Sequence, residues 1–417
     1  MAMNNPQSNK RRVLIIEENS RVPTDVRVWY EATTLRDNGW EVTVICPASS
    51  ADYEANRRSL RNVEPVDLEG ISVYSFPLRK AKEGVLGFLE EYITAFISMG
   101  RLSWRVWRKK RFDILHICNP PDMFFPMALF YRLLGVGVIF DHHDLFPEFI
   151  SHRYKGWTGK ILYVIARVME YLTYKSTHLT ITVNQSYGRM ATSRGDVSPE
   201  NLFIVRNGPK AKDFSPVEPI PELKKRFPIM VSYLGVMGYG DGIPEMIDSI
   251  RYVVTELGRR DILFTLIGDG AKRAEAMQKI HEWGLDEYVE MPGMVRDRLV
   301  IRQYLSTSDI CLSPEPLTPL NAHSTFIKVG EYMAMGKPIV AYDLDETRWT
   351  AGDAAIYVEP GNIQEFGRAI ASLADQPDER SRMSDIGLKR ISATLSWEHQ
   401  EVTFLQAYEK LTSRVSK

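Results

Sequence analysis

The run Asp141-His142-His143-Asp144 sets two imidazoles between two carboxylates at the end of an apolar stretch. Such a group suits hydrogen bonding to a polar ligand, proton transfer or metal ligation. Neighbours on a strand point to opposite faces, so His142 and His143 are expected to diverge, which disfavours a metal held by both. His142 is then expected as a packing or hinge residue. A second group lies in NAHSTFIKVGEYMAMGKPIVAYD, where a polar loop runs into a helix that ends at Gly336. Ser324 or Thr325 is the expected N-cap, and free N–H groups at a helix start suit a phosphate. Glu331, about two turns along, could accept two ribose hydroxyls. Thr325, Lys328 and Glu331 are spaced by three, which puts them in one row on a helix. The plain alternative is a capped amphipathic helix with Lys328 and Glu331 solvated.

A third segment, Gly235–Gly242, reads as a glycine loop at a strand end, with Gly235 and Gly238 placed to let backbone approach a phosphate. Met237 and Asp241 break a dinucleotide fingerprint. The first loop, EENSRVPTD, has no glycine, which argues against a two-domain dehydrogenase.

These residues need a scaffold, and strand-like runs alternate with helical ones nearly throughout, the pattern of parallel sheets covered by helices. Strands are expected in RVLIIEE, EVTVICP, ISVYSFP, FDILHICN, GVIFDHHD, HLTITVN and LFIVRNG, and then in IMVSYLGVM, ILFTLIGDG, YVEMPGM, ICLSPE, KPIVAYD and AIYVEPG. Two doubly wound sheets follow, with a proline-rich linker carrying Pro209, Pro216, Pro219 and Pro221. The expected divisions are a disordered basic tail (1–12), a first domain (13–212), a second domain (213–396) and a C-terminal helix (397–417) that can return to the first domain. A ligand is expected in the crevice between the sheets, at the carboxyl ends of their strands.

With 417 residues, two domains are the natural reading; 44% hydrophobic and 25% charged residues are ordinary for a soluble protein. A net charge of −1 gives no global field for nucleic acid. Three cysteines without metal-ligand spacing suggest buried free thiols in a reducing compartment. The polar N-terminus argues against a signal peptide, and no apolar run is long enough to span a bilayer. A cytoplasmic protein is expected. In GFLEEYITAFISMGRLSWRVWRKKRF, aromatic residues such as Trp104 and Trp107 mix with Arg101, Arg105, Arg108, Lys109, Lys110 and Arg111. That mixture suits a covering helix with a solvated basic end, or peripheral contact with an anionic membrane on the inner face.

The segment GEYMAMGKPIVA resembles the end of the nucleotide-sugar motif of glycosyltransferase family 4, a family of retaining enzymes, and the sequence style is that of bacterial members acting in cell-surface glycan assembly. Glu331 falls on the motif's second Glu, which implies donor-ribose binding; His323 occupies the first Glu position. DVRVWYEATTLRDNGWEVTVI, FDILHICNPPD, VIFDHHDLFPE, VRNGPKAKDFSP, FTLIGDG, MPGMV and AGDAAIYVEPGN resemble other family segments, in the family's order. The resemblance implies a GT-B fold, two Rossmann-like doubly wound parallel-sheet domains facing each other across a cleft. It implies a nucleotide-diphosphate sugar as donor substrate, no cofactor, and a glycan or lipid-linked acceptor. His143 would touch the donor sugar. Gly235, Gly238, Gly268, Gly293, Met294, Val295, His323, Ser324, Thr325, Phe326, Ile327 and Arg348 would line the donor side, with the base near Pro292–Val295. Asp25, Arg27, Asn119 and Asp144 would lie on the acceptor side.

Many family members place an Arg and a Lys in the first glycine turn to grip the diphosphate; here those places hold Val236 or Met237, and Asp241. A helix start contributes only ~0.3–1 kcal/mol, or ~2 when partly buried, against ~3–4 for one good oxyanion donor. A cation from elsewhere is therefore expected: Lys328 first, then Arg348 in the loop after the next strand or Arg206 before the linker. The rivals are a sugar-nucleotide epimerase of the same architecture and a non-catalytic sugar-nucleotide-binding protein.

Overall fold

The computed structural model describes residues 10–48, 63–78 and 84–415. It divides into two compact units, one of residues 1–205 and 401–417 and one of residues 206–400. The expected tail falls mostly outside the described residues, and Arg12 already begins a strand. The division comes at 205/206 and 400/401, not at 212/213 and 396/397. The reason is local: Gly208 lies against the Leu395–Trp397 backbone, and Trp397 N–H donates to Pro209 O at 3.1 Å, so both crossing segments pack with the second unit.

The first unit runs β1 (Arg12–Ile16), α1 (Val26–Asp37), β2 (Glu41–Pro47), β3 (Val66–Leu68), β4 (Ile71–Phe76), α2 (Val85–Lys109), β5 (Ile114–Cys118), α3 (Phe125–Leu133) and β6 (Gly137–His142). It continues through α4 (Phe146–Arg153), α5 (Gly156–Ser176), β7 (Leu179–Thr182), α6 (Gln185–Gly195) and β8 (Leu202–Ile204). The sheet order is β3-β4-β2-β1-β5-β6-β7-β8, parallel except for the β3–β4 hairpin. The central strands β1, β5 and β6 are buried along nearly their whole length, as strands covered on both faces must be. Helix α1 stops where the Asn38-Gly39 pair predicts, with Gly39 at φ +84°.

The second unit runs β9 (Ile229–Leu234), α7 (Ile243–Arg251), β10 (Ile262–Ile267), α8 (Arg273–Glu282), β11 (Val289–Gly293), α9 (Arg298–Thr307) and β12 (Ile310–Ser313). Then come α10 (Ile327–Ala334), β13 (Ile339–Tyr342), α11 (Asp345–Ala351), β14 (Ala355–Val358), α12 (Ile363–Ala374) and α13 (Pro377–Arg390). Its six strands are all parallel, ordered β11-β10-β9-β12-β13-β14. That is the doubly wound order, with the direction of winding reversing between β9 and β12; the first sheet reverses between β1 and β5. The last helix, α14 (Trp397–Val415), carries Phe404 and Tyr408 onto the first unit, where Tyr408 meets Trp40 edge-on. All three cysteines are free and buried. Among the described residues no helix is long and apolar enough to cross a membrane.

Candidate functional site

The two winding reversals are where open α/β sheets gather ligand-binding residues, and both carry ionisable groups here. In the second unit, β9 ends at Leu234 and β12 at Ser313, and α10 lies beside them. Lys328, in the first turn of α10, reaches Glu315 Oε1 at 2.5 Å and Tyr233 Oη at 3.0 Å. Glu315 is buried and also accepts from Ser313 Oγ. The pair, helped by the phenol, holds the Lys328 ammonium above its ordinary pKa against the opposing effect of burial. Tyr233 passes the contact on, donating to Val236 O at 2.7 Å.

The glycines of this region fit backbone to backbone. A Cβ at Gly268 would lie 1.8 Å from Gly235 O, and one at Gly242 1.8 Å from Pro314 O. A Cβ at Gly235 would lie 2.9 Å from Lys328 Nζ, so glycine there leaves room for the ammonium. The amide of Gly238, expected to face a phosphate, donates instead to Asp241 Oδ2 at 2.8 Å. Asn321 Nδ2 donates to Gly240 O at 2.8 Å and to Pro316 O at 3.0 Å, tying the glycine loop to the loop after β12.

Helix α10 begins later than its sequence suggests. Its N-cap is Phe326, one residue past Thr325 and without a side-chain cap bond of its own. Ser324 Oγ turns back to Leu320 O at 2.9 Å, beside the short turn Asn321–His323. Such local bonding competes with capping. Of the expected row, Lys328 and Glu331 lie within the helix and Thr325 two residues before its first residue. Glu331 is half-buried; burial raises its carboxyl to about 7, against the opposing charges of Arg298 and Lys328. His323, Thr325 and Phe326 are half-buried and Ile327 is exposed. Gly293 ends β11 at φ +81°, followed by exposed Met294 and half-buried Val295. Arg348 lies in α11, not in a loop, and grips Asp343 with two bonds of 2.7 and 2.6 Å. Arg206 pairs with Glu346 at 3.1 Å and lies over Trp349. All three expected cations thus carry a carboxylate.

In the first unit, β6 delivers Asp141 and His143 beside the first turn of α1. Arg27 is buried and binds Asp141 through Nε (3.0 Å) and Nη2 (2.8 Å), and Val205 O through Nη1 (2.8 Å). His143 Nε2 is 2.7 Å from Asp141 Oδ2, a charge-assisted contact that leaves Nδ1 for a ligand. Burial would raise Asp141, but Arg27 and His143 hold it well below the usual carboxylate range. Glu31, 3.2 Å from Arg27, is pushed well up by burial and by Asp141. One buried cation therefore faces one buried anion. His116, kept neutral by burial, lies 3.4 Å from Asp141 and bonds Tyr408 Oη at 2.8 Å through Nδ1.

Glu31, Cys118, Asp141 and His143 lie close enough to suggest metal ligands. The donor set fits poorly. Burial keeps the Cys118 thiol and the Glu31 carboxyl protonated, and Asp141 is taken by the guanidinium. His142 diverges from His143 as expected and bonds Tyr174 Oη at 2.7 Å.

Besides Arg27, two residues expected on the acceptor side have structural partners. Asp25 caps α1, accepting from Val28 N–H at 3.0 Å. Asn119 donates to Asp122 and to Asp144 O, and accepts from the His143 and Asp144 amides. Asp144 itself is exposed. Sequence reasoning missed Glu31, His116 and Tyr408, and also Glu17 and Glu18 at the end of β1. Burial, with Glu91 nearby, raises Glu18 to about 8. The doubled Glu closing RVLIIEE was the available signal.

Residues 25–210 match the model of Glycosyltransferase Family 4, and residues 228–376 match that of Glycosyl transferases group 1. The chain is 25% identical over 223 residues to the MMP alpha-(1->4)-mannosyltransferase of Mycolicibacterium hassiacum, covering 53% of this chain and 51% of that protein. It spans about half the length of the curated relatives it matches. Sucrose-phosphate synthase from Thermosynechococcus elongatus matches with a TM-score of 0.74 at 14% identity, over 97% of this chain and 100% of that one. Anabaena HepE, solved with UDP and glucose, matches with a TM-score of 0.69 at 15% identity, over 96% and 100%. At these identities the structural likeness speaks for the fold alone.

Proposed function

The chain belongs to glycosyltransferase family 4, with the GT-B type of fold, and we propose that it transfers a hexosyl or N-acetylhexosaminyl group with retention from a nucleotide diphosphate to a glycan or lipid-linked acceptor. The observation that carries this reading is the placement of Lys328 and Glu331 three residues apart on α10, beside the winding reversal of the second sheet, with Lys328 held by Glu315. Glu331 accepts the ribose hydroxyls. Lys328 exchanges part of its contact with Glu315 for the diphosphate as the leaving group gains charge. His143, oriented by Asp141, offers Nδ1 to a sugar hydroxyl.

The acceptor oxygen bonds to the anomeric carbon on the face from which the phosphate oxygen departs, and the acceptor proton passes to that phosphate. No protein nucleophile and no metal take part. The setting is the cytoplasm, with peripheral attachment to the membrane and a role in surface polysaccharide or glycoconjugate assembly. A panel of nucleotide sugars, assayed with and without EDTA and with product anomers assigned by NMR, tests the reading. Turnover of at least one donor, with retention and without need of a metal, is expected. Inversion, dependence on a divalent ion, or epimerisation of the donor without transfer contradicts it.

A further inference from the structure

Helix α5 has its polarity reversed. Its buried positions are Gly159, Ala166, Glu170, Thr173, Tyr174 and Ser176. Its exposed stripe is Trp157, Ile161, Val164, Ile165, Val168 and Tyr171, with Trp157 80% and Val164 60% exposed. A helix lying on a globular core normally shows the opposite arrangement. From Trp157 to Tyr171 the stripe runs roughly 21 Å at about 1.5 Å per residue. It has company: most of the exposed large apolar side chains among the described residues lie on α2, α5 and α3 or at the end of α3. Trp104 of α2 meets Phe130 of α3 edge-on at 5.7 Å, and Phe88 of α2 shares a cluster with Ala166 and Leu162 of α5.

The charges on the stripe choose its partner. Lys155, just before α5, and Lys160 on it are exposed; Lys175, also exposed, pairs with exposed Asp196, and the helix's one carboxylate, Glu170, is buried against Arg167. A second copy of this chain would bring the same cationic residues with no exposed carboxylate from α5 to meet them. An anionic lipid surface meets both the apolar stripe and its lysines. No described helix can span a bilayer, so such a helix would lie in the interface. The basic end of α2 is a weaker anchor than its sequence suggests, because Arg105 and Lys109 both pair with Glu64, and Lys110 pairs with Glu41.

We propose that the exposed face of α5 docks the protein on an anionic membrane surface, with Trp157 and Lys160 at one end of the contact. The proposal deepens the peripheral attachment suggested above and is independent of sugar transfer. The full chain is tested by flotation with phosphatidylglycerol-containing and pure phosphatidylcholine vesicles, with size-exclusion light scattering in the absence of lipid. The expected result is binding to the anionic vesicles, reduced roughly tenfold or more in the double variant Val164→Glu/Val168→Glu. Both side chains are exposed, so nucleotide affinity and the thermal transition should be unchanged. A second variant, Arg101→Glu/Arg108→Glu, should reduce binding less. Failure of the wild-type chain to bind overturns the proposal, as does loss of binding confined to the α2 variant. A lipid-free dimer that the α5 variant dissociates, without vesicle binding, also overturns it. Donor turnover without vesicles tests sugar transfer separately.

Discussion

Arg27 in the first unit and Lys328 in the second are both largely buried cations paired with carboxylates, yet they are built differently. Arg27 gives two bonds to Asp141 and one to Val205 O, so its planar guanidinium is held on several sides. Lys328 gives its ammonium to one carboxylate and one phenol beside Gly235, on a flexible stem. A fork locked by bidentate geometry cannot turn to a new partner without losing several bonds, whereas an ammonium can trade one contact for another. The first arrangement suits a fixed frame for His143. The second suits a cation that changes partner as charge develops on a leaving phosphate.

The comparison breaks most readily at Arg27. Arg27→Ala leaves Asp141 buried without its counter-ion, and losses of about 3–5 kcal/mol are expected when one partner of a buried pair is removed. Denaturant unfolding checks this, and a loss below about 1 kcal/mol would show that the frame is not rigid in the sense proposed. The next effect is at Glu331. A charge-assisted hydrogen bond contributes ~1.5–3 kcal/mol, so Glu331→Ala should weaken nucleotide binding about tenfold to a hundredfold by calorimetry. Unchanged affinity would remove Glu331 from the donor site.

The smallest effect is in pH. Burial raises Glu331 to about 7, so it is largely protonated below that pH and accepts two hydroxyls only when ionised. Nucleotide affinity should therefore rise roughly tenfold between about pH 6 and about pH 8, and Glu331→Gln should flatten the curve. The sign for folding is the reverse. A carboxyl whose folded pKa is raised favours the fold when protonated, and that contribution is lost as pH rises through about 7.

The expected strands were legible because strands buried on both faces leave long apolar runs such as Ile114–Cys118. The hairpin strand Val66–Leu68 was not, being three residues long with Val66 exposed. Glu331 and His143 could be named from motif position and strand end. Their partners could not: Arg27 and Asp141 are 114 positions apart, and Tyr408 and His116 are 292 apart. The missed cap at Ser324 has another cause, since a hydroxyl able to cap a helix can equally bond back to Leu320 O. Glycines that admit a ligand and glycines that admit another backbone look alike in sequence, and Gly268 is needed against Gly235 O.

The most direct test of the account is the turnover of Lys328→Ala at saturating donor, with nucleoside affinity measured on the same protein as the check that the site is folded. If Lys328 is the cation that takes up the leaving phosphate's charge, turnover should fall about a hundredfold to a thousandfold, as for loss of one good oxyanion donor, while nucleoside binding stays close to wild type. Near wild-type turnover with intact nucleoside binding would contradict the account and pass the role to Arg348.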